Sequence, residues 1–153
     1  MFRVNDDPIN RNKKIRGWLT NYPSISIIVS AVNFEWTVSR AIILLSLDTN
    51  INIRSKLRKV FGLMKYKELW RVEVSKPSNF KALPEVISNW DSIIKAFDMR
   101  NKIVHGRDGC TKNMATPIVE ALLKAAAEIR DYCSSCGGDI HKRLPIRRKG
   151  ISS

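Results

Sequence analysis

Arg100, Asn101 and His105 stand within one short stretch and are the residues of this chain best suited to chemistry. A guanidinium clamps a phosphate, an amide orients it, and an imidazole takes up and returns a proton. Cleavage of a phosphodiester requires those three functions. His105 follows Asn101 by four residues, the spacing that brings two side chains together on a helix. No Gly-rich phosphate loop, His-Glu-x-x-His string or Ser-nucleophile elbow occurs in the chain. Carboxylates are too sparse around the three residues to build a two-metal site, so neither a metal nor a cofactor is expected to take part. A plain structural account competes with this one. In it Arg100 snorkels to water, Asn101 makes local hydrogen bonds, and His105 is a cation at a helix C-terminus.

The element that must position them runs from Leu83 to Gly106, LPEVISNWDSIIKAFDMRNKIVHG. Pro84 suits a first helical turn and Gly106 the residue just past the end, which predicts one unbroken helix. At about 100° per residue, Val86, Trp90, Ile93, Phe97 and Val104 form one apolar stripe, and Arg100 and Asn101 flank its centre line. A guanidinium at such a seam is costly unless it is paired or faces a wet cleft.

The string Arg100-Asn101-Lys102-Ile103-Val104-His105-Gly106 resembles the signature of the HEPN superfamily of small helical ribonucleases. Its hallmark is an Arg, often followed directly by Asn, then a short run of residues and a His. The resemblance covers residues 23 to about 136 and implies an all-α, up-and-down bundle of four to five helices. It also implies a homodimer in which two motifs meet across a cleft, and an endoribonuclease of a host-defence, phage-defence or toxin system with an antitoxin or defence partner. In that scheme His105 is general acid or base as the RNA 2′-hydroxyl attacks its own phosphorus. Arg100 neutralises the phosphorane, and Asn101 orients the phosphate or the imidazole. One departure stands out: toxins of this type that are silenced by nucleotide addition carry a Tyr two residues after the His, where this chain has Arg107. The rival function is a non-catalytic helical module that binds nucleic acid or a protein through the same basic faces.

Composition agrees with a polyanionic partner. Lys and Arg total 27 against 14 acidic residues among 153, a formal charge of +13. That favours RNA or DNA without choosing between them. Hydrophobic content of 44% and four Trp argue for a packed domain. The first residues show no apolar signal core, and no stretch of about 20 uninterrupted apolar residues suggests a membrane span. Three cysteines, an odd number, suit a reducing cytoplasm.

The remaining elements are read as a single domain over 1–138 followed by a basic flexible tail over 139–153. A short helix follows Asp7-Pro8, and its basic run Arg11, Lys13, Lys14 and Arg16 reads as a solvated face or a phosphate contact. A long helix runs from Pro23 to about Ser46, with Ile25, Val29, Val32, Trp36 and Ile43 on one face and Phe34, Val38, Ala41 and Leu45 behind. Its charges, Glu35 and Arg40, each need a partner or an exit to water. For Glu35 a structural salt bridge is favoured over a contact to Arg100 or His105. A basic helix covers Ile53 to Phe61, capped by Asp48 or Asn50, and another covers Lys65 to Val74, where WRVEVS could instead pair as a strand. Pro77, Ser78 and Asn79 break the chain. The last helix begins near Thr116-Pro117, returns antiparallel to the central helix and ends at Gly137-Gly138. Cys110, Cys133, Cys136 and His141 form an incomplete zinc pattern, and Cys133 lies on an apolar stripe where a thiol needs no metal.

Overall fold

The computed structural model describes residues 7–74 and 80–149. The expected break at Pro77, Ser78 and Asn79 lies outside the described residues. Those residues form seven helices and no strand, so the chain is all-helical over them: α1 Pro8–Gly17, α2 Pro23–Leu45, α3 Asn50–Leu57, α4 Leu63–Glu73, α5 Leu83–Val86, α6 Trp90–Val104 and α7 Lys112–Ser135. Four or five were expected. The count exceeds the bundle because the short helices α1 and α3 add to it and because the central helix divides into α5 and α6.

Local chemistry sets most boundaries. Asp7 Oδ1 accepts a hydrogen bond from the Asn10 backbone N–H at 2.8 Å, and Pro8 opens α1 as anticipated. WRVEVS lies mostly in α4, since Trp70 is fully buried and donates its indole N–H to the Lys81 carbonyl at 2.9 Å. Thr49 caps α3 where Asp48 or Asn50 was expected, and α3 ends at Leu57. The unbroken helix expected over Leu83–Gly106 is corrected. Ile87 leaves helical geometry with ψ 115°, and Asn89 restarts the chain by accepting from the Ser92 N–H. An Asn that can cap competes with its own place in a helix interior. The start of α7 is also earlier than expected. Thr111 caps it, and Pro117 lies inside rather than at the first turn. The proline withholds the N–H that would meet the Asn113 carbonyl, and the Thr116 hydroxyl beside it donates to the Lys112 carbonyl at 2.7 Å.

Helices α2, α6 and α7 form the centre of the core, and α4 adds Leu63, Tyr66 and Trp70. Ile27 at the start of α2 packs in one cluster with Ala115, Val119 and Leu123 at the start of α7, and Met99 and Ile103 near the end of α6 join them. At the far end, Leu44 lies so close to Gly138 that a Cβ there would stand 2.4 Å from its Cδ2. Thus α2 and α7 run the same way and α6 runs opposite to both, which meets the expected return of α7 against the central helix. The buried side of α2 is the set taken as its back: Phe34, Val38, Ala41 and Leu45 are at most 2% exposed, while Ile25 and Val32 are 45% and 52% exposed. A helix apolar nearly all round gives periodicity no means to pick the inner face. By length and composition α2 could also cross a bilayer, but 61% of its most apolar stretch is buried inside the protein, as befits a central helix.

The flexible tail is corrected over residues 139–149. Ile140 and Leu144 are buried in the main core. Arg147 donates to the carbonyls of Asp48 and Ile43 at 2.6 Å each, and its backbone exchanges hydrogen bonds with Asn50. Two apolar anchors and a guanidinium that answers one orphan carbonyl of α2, that of Ile43, and the Asp48 carbonyl beyond it hold this segment to the bundle.

Candidate functional site

The site grows out of the last turns of α6. Phe97 meets Phe34 edge to face with centroids 5.6 Å apart, which locks α6 against α2 one turn before Arg100. Arg100 then reaches across the seam and donates from Nη2 to Glu35 Oε1 at 2.9 Å. Both side chains are about three-quarters covered, at 24% and 23% exposure. The guanidinium carbon stands 5.3 Å from the Phe97 ring centre, and Nε is buried without a hydrogen-bond partner. Burial pushes the Glu35 carboxyl above its usual range, and the Arg100 charge draws it partly back. Glu35 therefore takes both expected roles at once: it forms a salt bridge, and its partner is Arg100.

Asn101 and His105 are exposed, and neither side chain hydrogen-bonds among the described residues. His105 closes the helix with its backbone N–H on the Asn101 carbonyl at 3.0 Å, and Gly106 follows at φ 67°, a left-handed turn open to glycine. Lys102 pairs with Asp98 at 3.1 Å one turn back. On the helical wheel Asn101 and His105 lie about 40° apart, whereas Arg100 and His105 are about 140° apart. One chain thus brings the amide and imidazole to a common face and turns the guanidinium away from them. Val104, expected within the buried stripe, is 53% exposed beside this group.

The other sequence candidates separate. Cys133 sits fully buried in the main core, where burial and the neighbouring Cys136 push its thiol up to about 12. Cys110 packs in the second cluster and Cys136 is exposed. No group of three His, Cys, Asp or Glu able to hold a metal occurs among the described residues. The basic run of α1 is largely consumed by structure. Arg11 is 2% exposed with its guanidinium 3.9 Å from the Trp36 ring centre, and Arg16 makes a two-point contact to Glu120 at 2.7 and 2.9 Å. Arg40, the second charge of α2, donates to the carbonyls of Ile140 and Lys142. Sequence reasoning did not join Arg40 to Arg54 in α3, to Arg58 just past its end, and to Lys142 and Arg143, which the fold gathers around one cleft. The spacing of Arg54 and Arg58 marked a polar face, but nothing local tied it to residues as distant in the chain as Lys142 and Arg143.

Comparison with protein-family profiles, curated proteins and solved structures finds no match to this chain.

Proposed function

We propose that the chain is a metal-independent endoribonuclease of the HEPN type, acting as a homodimer in a reducing cytoplasm. The observation that carries this reading is the Arg100-Asn101 to His105 string at the C-terminal end of α6, with its imidazole and amide exposed on one face and its guanidinium held in a seam by Glu35. The opposed run of α6 against α2 and α7 supports an up-and-down bundle of the kind the resemblance implies. Val104 follows Arg100 by one turn and Val32 precedes Glu35 by about one turn; because the two helices are opposed, these exposed apolar residues lie toward the same end of the ion pair. A second copy seated on that strip would bring its own His105 toward the Arg100 that a single chain turns away. His105 then serves as acid or base for in-line attack of the 2′-hydroxyl, Asn101 orients the phosphate, and Arg100 stabilises the phosphorane. Two carboxylates flanking the motif are engaged by cations, Glu35 by Arg100 and Asp98 by Lys102, and in this reading the imidazole carries the acid–base chemistry. An antitoxin or defence partner would act on the same exposed face.

A second reading, a non-catalytic module binding nucleic acid or a protein, is favoured by the Glu35 contact itself, since a paired guanidinium has less charge to offer a phosphorane. End-labelled RNA incubated in EDTA separates the two. The ribonuclease leaves products with cyclic phosphate or 3′-phosphate ends, and the His105→Ala protein leaves none. Cleavage that needs a divalent ion, or activity unchanged in His105→Ala, would overturn the proposal.

A further inference from the structure

A second cationic feature lies on the other side of α2. Trp36, Ser39, Arg40 and Ile43 form one wall of a hollow, and Arg54 and Leu57 of α3 with Arg58 just past its end form the other. An adjoining hollow of about 570 Å³ shares Arg40 and Arg54 and is closed by His141, Lys142 and Arg143 of the docked C-terminal segment. No carboxylate lines either hollow. Among the described residues none of Arg40, Arg54, Arg58, Lys142 or Arg143 lies within ion-pair distance of a carboxylate.

Arg40 shows how this arrangement differs from a solvated basic face. Its guanidinium is fixed by two backbone carbonyls, which orient it without neutralising it. Burial, and then the neighbouring Arg54, lower its proton affinity, while Asp139 raises it by a smaller amount. Both ring nitrogens of His141 are buried without a hydrogen-bond partner, beside the Trp36 ring at 5.7 Å between centroids. A half-buried cation with like charges around it costs free energy unless an anion arrives to share the hollow.

We propose that this cleft between α2, α3 and residues 140–146 is a phosphate-binding groove for a phosphodiester chain, distinct from the Arg100–His105 site. Arg40 is its oriented floor, and Arg54, Arg58, Lys142 and Arg143 are the flanking cations that follow successive phosphates. Two hollows joined through Arg40 and Arg54, with cations on both walls, suit a strand better than a single compact anion, and the excess positive charge of the chain supplies the long-range attraction. The choice of a polynucleotide rests on the ribonuclease reading; the anion-binding geometry does not.

The test is fluorescence anisotropy with a labelled 2′-O-methyl RNA of about 15 nucleotides, long enough to follow such a groove. Its blocked 2′-oxygen prevents cleavage, so the result stands whatever a cleavable RNA shows, and failure of the catalytic reading would appear only with cleavable RNA. Arg54→Gln/Arg58→Gln should bind roughly tenfold more weakly near 0.15 M salt, with the log–log salt slope reduced by about 1.4, as for two lost single-strand phosphate contacts. Lys142→Gln/Arg143→Gln, from the opposite wall, should behave alike, and Arg54→Lys/Arg58→Lys should keep most of the slope. All four flanking side chains are exposed, so thermal melts should match the wild type. Wild-type affinity and slope in both Gln variants would overturn the groove. Loss of inorganic pyrophosphate binding in those variants with RNA binding intact would overturn the phosphodiester assignment in favour of a small-anion site.

Discussion

Two charged residues of α2, five positions apart, meet opposite fates. Glu35 faces α6 and takes Arg100 as its partner, giving a local pair of net zero charge in a seam closed by Phe34 and Phe97. Arg40 faces the C-terminal segment and is met by carbonyls, so its charge stays uncompensated in a cleft with more cations. The same helix therefore carries one guanidinium contact that is neutralised and positioned, and another that is positioned only. Neutralisation stabilises a seam, whereas orientation without neutralisation leaves an anion site. In the proposed division of labour, the first region does chemistry and the second holds the strand.

The comparison breaks most sharply at His105. His105→Ala should lower RNA cleavage by about 10²–10⁴-fold, the usual contribution of a proton-transfer group, with the melt unchanged because the side chain is exposed and unbonded. If two chains share a site, mixing His105→Ala with Arg100→Ala subunits and isolating the heterodimer by dual tags should recover measurable activity. No recovery in a folded heterodimer would place Arg and His from one chain at each phosphate.

Deleting residues 139–153 comes next. A disordered tail would be removed with little effect on the melt. The docked segment instead loses two buried apolar anchors, Ile140 and Leu144, and the Arg147 contacts to α2, so stability should fall by about 3–5 kcal/mol. Differential scanning calorimetry should register this as a melting temperature lower by about 10–15 °C. RNA affinity should fall with it, because the groove loses a wall.

Arg100→Ala should cost about 1–2 kcal/mol near pH 8, between the ranges for exposed and buried pairs. The cost should shrink toward pH 5. Glu35 already has a folded proton affinity above its unfolded one, so its contribution is complete below the unfolded pKa and is lost as pH rises through the folded pKa. Without Arg100 the folded affinity rises further, and stability declines over a wider span above the unfolded value. Urea melts across pH 5–8 would show it. A cost independent of pH would mean that the guanidinium stabilises the seam by packing on Phe97 instead.

The smallest effect is expected at Arg40. Arg40→Gln leaves the Ile140 and Lys142 carbonyls partly unmet, costs about 1 kcal/mol, and reduces the salt slope for RNA by about 0.7. An unchanged slope would make Arg40 a structural clamp alone.

Much of the helical content was legible in the sequence, because capping and helix starts are local. Asp7-Pro8, Pro23 and Gly137-Gly138 mark ends through backbone groups within a turn of themselves. The Arg100-Asn101 to His105 string is local as well, and so is its place at the end of a helix. Where the reading departed from the structure, the deciding contact was distant or two local signals competed. Asn89 could cap or continue a helix, and it capped. Apolar residues all round α2 could not say which half faces the core, and the answer came from α6 and α7 packing on the Phe34 and Val38 side.

Charge was the least legible property of all. Composition announced a basic chain, but each cation's role depended on whether a carboxylate or a carbonyl stood within reach after folding. Arg16 met Glu120, Arg100 met Glu35, Arg147 met the end of α2, and Arg54 and Arg58 met other cations across a cleft. The sequence by itself determined most of the helices, several of their ends and the candidate site residues, because those follow from contacts within a few residues. Only the tertiary structure decided which charges are cancelled and which are left to bind, because Coulomb interactions act through space between residues that the chain order keeps far apart.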